Sequence, residues 1–283
     1  MFEPDVRRID YERYTNRQLA AVPLVVLALA LIVIGGWWAV TGSPANLGIE
    51  LSGGTELRLE TTASGAEVVE AFDAEVESIR PVVDEDQYIV TFRSSDLDAI
   101  RGQATDEGFT IRGSYTTGPT FAAGNQTLTV FGVGIAFVGM SVLVFLLFRS
   151  FVPSIAIVVS AFSDIVIPIA VMNLLGIRLS LGTVAALLML IGYSVDSDIL
   201  LNNHILRRSG EFYDSAYRAM RTGVTMTLTS LSAVIVMAIV ASIFGISLLA
   251  SIGLVLAIGL AADLMNTYLL NLSLLRWYRG VEV

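Results

Sequence analysis

The sequence has no cysteine, no lysine and a single histidine, His204, in 283 residues. Without cysteine there is no disulfide, no iron–sulfur cluster and no thiolate zinc site. One histidine excludes a His-x-x-x-His zinc pair and leaves any Ser-His-Asp triad hanging on one residue. All 17 basic residues are arginine. The lysine of a Walker A loop is therefore missing, and a P-loop ATPase is excluded. No enzymatic activity, metal or cofactor is expected, and the work of this chain draws on something other than its own nucleotide hydrolysis. Charge is also scarce, at 15% of residues against 54% hydrophobic. That is too apolar for an ordinary soluble domain.

The net charge of −9 is unevenly spread. Residues 42–122 hold 15 Asp/Glu and 5 Arg, a net of −10, and the remainder has a net of +1. An acidic block without lysine repels nucleic acid, so no such partner is expected. It is either an acidic ligand-binding face or a surface adapted to high salt. The second reading is the plainer, because screening removes the repulsion among the carboxylates.

What the chain has in quantity is apolar runs of about 20 residues, the length that crosses a bilayer as a helix. They fall at 19–41, 126–148, 152–174, 179–203, 223–244 and 247–273. The first is too long for a signal-peptide core and has no A-x-A pattern after it, so it reads as a retained span. Arginines give the orientation. Arg7, Arg8, Arg13 and Arg17 precede the first span, and Arg149 follows the second. Arg207, Arg208, Arg218 and Arg221 follow the fourth, and Arg276 and Arg279 follow the sixth. The opposite side has only Arg178 in its short turns. The tails 1–18 and 276–283 are thus expected in the cytoplasm, and 42–125 outside.

The outside segment reads as a small α+β domain. Glu56 to Glu60 alternates as a half-buried strand does. Ala66 to Arg80 has apolar residues at helical spacing, stopped by Pro81. Val82-Val83 and Tyr88 to Arg93 form a hairpin across Asp84-Glu85-Asp86. Ser95 caps a helix running to Glu107, Gly108 ends it, and Phe109 to Arg112 is a last strand. The order β-α-β-β-α-β is that of a ferredoxin-like unit. The fold class expected is therefore a six-span α-helical membrane protein with a ferredoxin-like domain between spans 1 and 2.

Four acids fall inside expected spans, where each costs at least about 2.5–3.5 kcal/mol and needs a reason. Asp196 and Asp198 lie two residues apart in the fourth span, on different faces. Asp196 is about 16 Å deeper than Arg207 at 1.5 Å per residue, near mid-membrane. Asn202 shares a face with Asp198, and Asn203 one with Asp196. A carboxyl out of water that alternates between neutral and ionised forms is what a proton relay needs. The plainer role is a neutral acid bonded between helices. Asp164, with Ser160 before it and Pro168 after it, serves either relay or local repair of the backbone. Asp263 lies beside Asn266 and Thr267. In the fifth span Thr222, Thr225, Thr229 and Ser232 share one face, where hydroxyls bond a facing helix, line a wet path or simply pack closely. Arg221 is the cation placed to face the fourth-span acids, or else an ordinary positive-inside residue. His204 sits at the cytoplasmic end of the fourth span.

Three motifs resemble the SecD/SecF family of export proteins. Leu47-Gly48-Ile49-Glu50-Leu51-Ser52-Gly53-Gly54-Thr55 resembles its G-[LV]-D-[FL]-x-G-G-T signature, with glutamate for the usual aspartate. Gly192-Tyr193-Ser194-Val195-Asp196-Ser197-Asp198 is similar to its G-Y-S-[VIL]-[ND]-D, and Arg221 to Thr229 to its R-T-x-x-T-S-L-T-T. One span, an outside domain and five further spans match the layout of the SecF branch. The resemblance implies an accessory subunit of the Sec export machinery in the cell membrane, related to the RND transporters and driven by the proton or sodium gradient. It implies SecD, the Sec translocon channel, a translocating preprotein and membrane lipids as partners. The family acid maps onto Asp196, onto Asp198 or onto both. The arginine-only, acidic composition implies an archaeal, halophilic version. A self-contained transporter of a small solute and a passive scaffold are rival classes. The first does not need the outside domain, and the second leaves Asp196 and Asp198 without a purpose. Gly53-Gly54 reads as a hinge for the outside domain, a bulge seating its first strand, or a tight turn.

Overall fold

The computed structural model describes residues 11–82, 86–207 and 211–281. Arg7, Arg8, Arg208 and the Val83-Asp84-Glu85 part of the expected hairpin lie outside them. Among the described residues six helical stretches are long and apolar enough to cross a membrane. They are α1 (Asn16–Thr41), α5 (Pro119–Phe148), α6 (Phe151–Leu175), α7 (Leu181–Arg207), α8 (Phe212–Ile243) and a composite sixth. The sixth consists of α9 (Ser247–Met265), a π-helical segment (Asn266–Asn271) and α10 (Leu272–Tyr278). Thr15 and Gln18 cap α1 reciprocally, and Pro119 opens α5 where its missing N–H costs nothing.

α8 starts at Phe212, 11 residues before the apolar run at 223. The extension buries Phe212, Ala216, Ala219 and Met220 against Leu201, Ile205, Leu272 and Leu275. α6, α7 and α9 form the inner layer. α1, α5 and α8 present apolar faces outward, as helices in lipid do.

Between α1 and α5 lie α2 (Ile49–Ser52), β1 (Gly54–Glu60), α3 (Gly65–Glu70), β2 (Val76–Pro81), β3 (Gln87–Phe92), α4 (Leu97–Asp106) and β4 (Thr110–Thr117). The strands form one antiparallel sheet in the order β2-β3-β1-β4, the ferredoxin-like arrangement. Leu57, Leu59, Val90 and Phe92 bury one sheet face under Val68, Phe72, Ile100 and Ala104.

The helix expected from Ala66 to Arg80 is corrected. α3 ends at Glu70, and Val76 begins a strand. In the turn that follows, Asp73 exchanges hydrogen bonds with the Gln103 side chain at 2.9 and 3.3 Å. The β-branched Val76 and Ile79 then favour extended backbone. Pro81 is tolerated because β2 is an edge strand. Asp96, not Ser95, caps α4, accepting from the Ala99 N–H at 3.1 Å. β4 runs five residues past Arg112, with a bulge opposite Arg58 and Leu59.

Gly54 has φ 123°, and a Cβ there would collide with the Phe92 carbonyl oxygen. This close approach of β1 to β3 requires glycine. Gly53, with φ 80°, closes α2 by donating to the Ile49 carbonyl at 2.9 Å. Thr55 is buried on β1 and bonded to Thr116.

Candidate functional site

Three carboxylates from three spans meet in the inner layer. Asp164 of α6, Asp198 of α7 and Asp263 of α9 are all fully buried. Asp164 accepts from Ser194 Oγ and from Asn266 Nδ2, each at 2.5 Å. Asp198 Oδ1 accepts from Thr267 Oγ1 and from Asn271 Nδ2, each at 2.8 Å. Asp263 Oδ1 accepts from Ser197 Oγ at 2.8 Å and lies 3.3 Å from Thr267 Oγ1.

Hydroxyls thus link two of the acids, Asp198 and Asp263. Thr267 stands between Asp198 and Asp263, and Ser197 is also within 3.3 Å of Thr267. A hydroxyl carries one hydrogen and can accept another. Such a chain can hand a proton from one carboxyl to the next.

The local backbone explains how one span supplies four of these groups. Asn266–Asn271 is π-helical, with wider turns than an α-helix. Thr267 and Asn271, four apart, both reach Asp198, while Asn266 reaches back to Asp164. Tyr268 packs its hydroxyl against Gly223 of α8, where a Cβ would collide with it. π segments of this kind recur at functional sites.

The expected site residues do not all gather here. Asp198 and Asp164 do, and so does Asp263. Asp196 lies on another face of α7 and is exposed. With Tyr193, Ser197, Asn203, Gly223 and Thr227 it lines a groove of about 380 Å³ between α7 and α8. Asn202 is buried beside the cluster, but its amide donates to the Asp198 backbone carbonyl at 2.8 Å, not to a carboxylate. Thr222, Thr225 and Thr229 turn away from the acids. Their hydroxyls bond the carbonyls four residues back in α8, at 3.3, 2.7 and 2.8 Å. Thr227 instead is buried, and Ser230 bonds the Tyr193 hydroxyl at 2.6 Å. Arg221 is exposed on α8. His204 Nδ1 bonds the Leu200 carbonyl of its own helix at 2.9 Å.

Ser194, Ser197 and Asn271 gained no role from the sequence beyond the family motif. The available signal was the density of Asn266, Thr267 and Asn271 in an otherwise apolar span.

Comparison with known proteins agrees with this architecture. The family model "Protein export membrane protein SecD/SecF, C-terminal" matches residues 100–281. The protein-export membrane protein SecF of the halophilic archaeon Haloferax volcanii is 63% identical over 281 residues, covering 99% of this chain and 98% of its relative. That of Haloquadratum walsbyi is 61% identical over 285 residues, with the same coverage. That of Methanothermobacter thermautotrophicus is 38% identical, covering 97% of this chain and 96% of its own length. The crystal structure of SecDF from Thermus, described as a translocon-associated membrane protein, superposes with a TM-score of 0.75 at 20% identity, which speaks for the fold. The alignment takes in 99% of this chain but 40% of that one. With a family model matching well over half its length and relatives matching nearly all of it, the chain belongs to the SecF family of multi-pass protein-export membrane proteins.

Proposed function

We propose that this chain is one half of a SecD–SecF pair that uses the proton or sodium gradient to draw preproteins through the Sec translocon channel. The observation that carries the reading is the set of three buried acids on three different spans, two of which, Asp198 and Asp263, are joined through the Thr267 hydroxyl. A static bundle has no need of three carboxyls at that depth. Loading and unloading them with a cation changes which of α6, α7 and α9 attract one another, and so drives a shift between packings. Asp198 is the central acid, with Asp164 and Asp263 beside it and Asn202 supporting its turn of α7.

Partnership rests on a second observation. Asp196 and Asn203 are exposed in the α7–α8 groove, and Thr222 and Thr229 are exposed on α8. Lipid is a poor neighbour for a carboxylate, so this face is read as the SecD contact, with Arg221 at its cytoplasmic edge. The chain spans only 40% of the SecDF chain it resembles, and a separate SecD would supply the rest. The apolar outer faces of α1 and α5 meet membrane lipids.

The even number of spans and the arginine distribution favour both termini in the cytoplasm and residues 42–125 outside, where they meet the emerging preprotein. The division is a tail 1–18, a span 19–41, the domain 42–125, the five-helix bundle 126–275 and a tail 276–283. Tagged chain purified from membranes is expected to bring SecD with it, and Asp196→Leu to reduce that recovery severalfold while the chain itself remains folded. Recovery of the chain alone from intact membranes would overturn the partnership.

A further inference from the structure

The segment between α1 and the outside domain is fastened on two sides. On one side it meets the turn between α6 and α7. Leu47 and Leu179 form a parallel bridge, the Gly48 N–H donates to the Leu179 carbonyl at 2.8 Å, and the Leu179 N–H donates to the Asn46 carbonyl at 2.6 Å. Asn173 of α6 grips the same segment through the Asn46 N–H and the Pro44 carbonyl, both at 3.0 Å. On the other side α5 holds α2. Asn125 Nδ2 donates to the Glu50 carbonyl at 2.9 Å, and Gln126 Nε2 to the Leu51 carbonyl at 2.7 Å.

Two charged side chains complete the fastening. The Glu50 carboxylate folds back over Gly48 towards Leu179 and Ser180, so that it stands at the start of α7, whose first residue is Leu181. Acids are favoured at a helix N-terminus, where N–H groups lack partners. Burial pushes this carboxyl above the ordinary glutamate range, partly offset by the N–H groups of Glu50 and Leu181. Arg178, three residues before α7, reaches outward. Its guanidinium donates to Thr91 Oγ1 at 2.9 Å and to Ser78 Oγ at 2.6 Å. Ser78, Thr91, Glu56 and Tyr115 form one row across the sheet, on the face opposite the helices. That face therefore rests on the outer end of α7, around a cavity of about 370 Å³ that Glu50 and Arg178 both line.

We propose that Glu50 and Arg178 are the positioning residues of a fixed joint, which ties the outside domain to the start of α7 so that the domain follows this helix instead of swinging on Gly53-Gly54. α7 is also the helix that carries Ser194, Ser197 and Asp198. One rod thus runs from the acid cluster to the sheet. The inference rests on the proposed ion coupling for its purpose, but not for its geometry.

The absence of cysteine helps the test, since within one chain two introduced cysteines can pair only with each other. Bridged neighbours lie about 4.8 Å apart, within disulfide range. In the full chain with SecD in lipid vesicles, the double variant Leu47→Cys with Leu179→Cys is expected to export equally well oxidised and reduced. Export that stops on oxidation and returns on reduction would show that the strap must open, and would overturn the joint. Glu50→Ala is expected to speed amide exchange at Leu181 about fivefold to tenfold and to slow export, as the loss of a helix cap does. Glu50→Gln, which keeps an acceptor at the start of α7, is expected to restore most of both, and so is the disulfide. Unchanged exchange in Glu50→Ala would remove Glu50 from the joint. If Glu50→Ala does not fold, the oxidised cysteine pair decides alone. Amide exchange reads the joint even if ion coupling fails, so the two failures are distinguishable.

Discussion

Thr267 carries the sharpest chemical demand in the molecule. Its one hydroxyl hydrogen faces two acids, with Asp198 Oδ1 at 2.8 Å and Asp263 Oδ1 at 3.3 Å. That hydrogen can serve only one of them at a time, while Asn271 holds Asp198 and Ser197 holds Asp263. When a proton enters at Asp263, Thr267 can accept it and pass its own hydrogen to Asp198, so charge moves one step with no side chain travelling. Valine has the same shape and no hydroxyl. Thr267→Val is expected to cut gradient-dependent export by about tenfold or more, and to cost about 1 kcal/mol for the lost hydrogen bond, since Asn271 still serves Asp198 and Ser197 still serves Asp263. Thr267→Ser is expected to keep most activity. Export assays on vesicles and thermal unfolding check the two effects, and a valine variant that exports as well as the parent contradicts the relay through this hydroxyl.

At the scale of elements, the domain between α1 and α5 turns on Gly54, the first residue of β1. Its φ of 123° and its contact with the Phe92 carbonyl leave no room for a methyl group. Gly54→Ala is expected to destabilise the domain by more than about 1 kcal/mol, read as a lower melting temperature of that transition. The same variant with unchanged stability would return the glycine to a hinge role. Much of this level was legible beforehand. Long apolar runs declare spans because lipid tolerates little else, and alternation in Glu56 to Glu60 and Tyr88 to Phe92 declares strands. The second strand is hidden in the sequence because Val68, Phe72, Val76 and Ile79 suit a helical stripe, while the Asp73–Gln103 contact that holds the turn after α3 joins residues 30 apart. Asp198 stood out as a buried charge, but its bond to Asn271 did not, since a π turn leaves no pattern in residue types. The threonine face of α8 misled for a related reason. Spacing shows that Thr222, Thr225 and Thr229 share a side, while only the packing shows that the side faces away from the acids.

The whole molecule joins an acidic domain between α1 and α5 to a nearly neutral membrane bundle. The domain has its own core around Leu57, Phe72 and Phe92, so the fragment 42–122 can be studied apart. With 15 acidic and 5 basic residues it repels itself at low ionic strength. The Debye length falls from about 30 Å at 0.01 M to about 3 Å at 1 M, so its melting temperature is expected to rise with salt, and a flat response contradicts salt adaptation. The acids of α6, α7 and α9 are where the proposed coupling acts. Asn keeps the size of Asp and one acceptor oxygen for Thr267 and Asn271, but cannot titrate. The direct test is Asp198→Asn in vesicles holding the SecD pair and the translocon, with preprotein export followed with and without an imposed gradient. The account predicts folded protein, normal recovery of SecD and loss of the gradient's stimulation. Full stimulation in Asp198→Asn would contradict it.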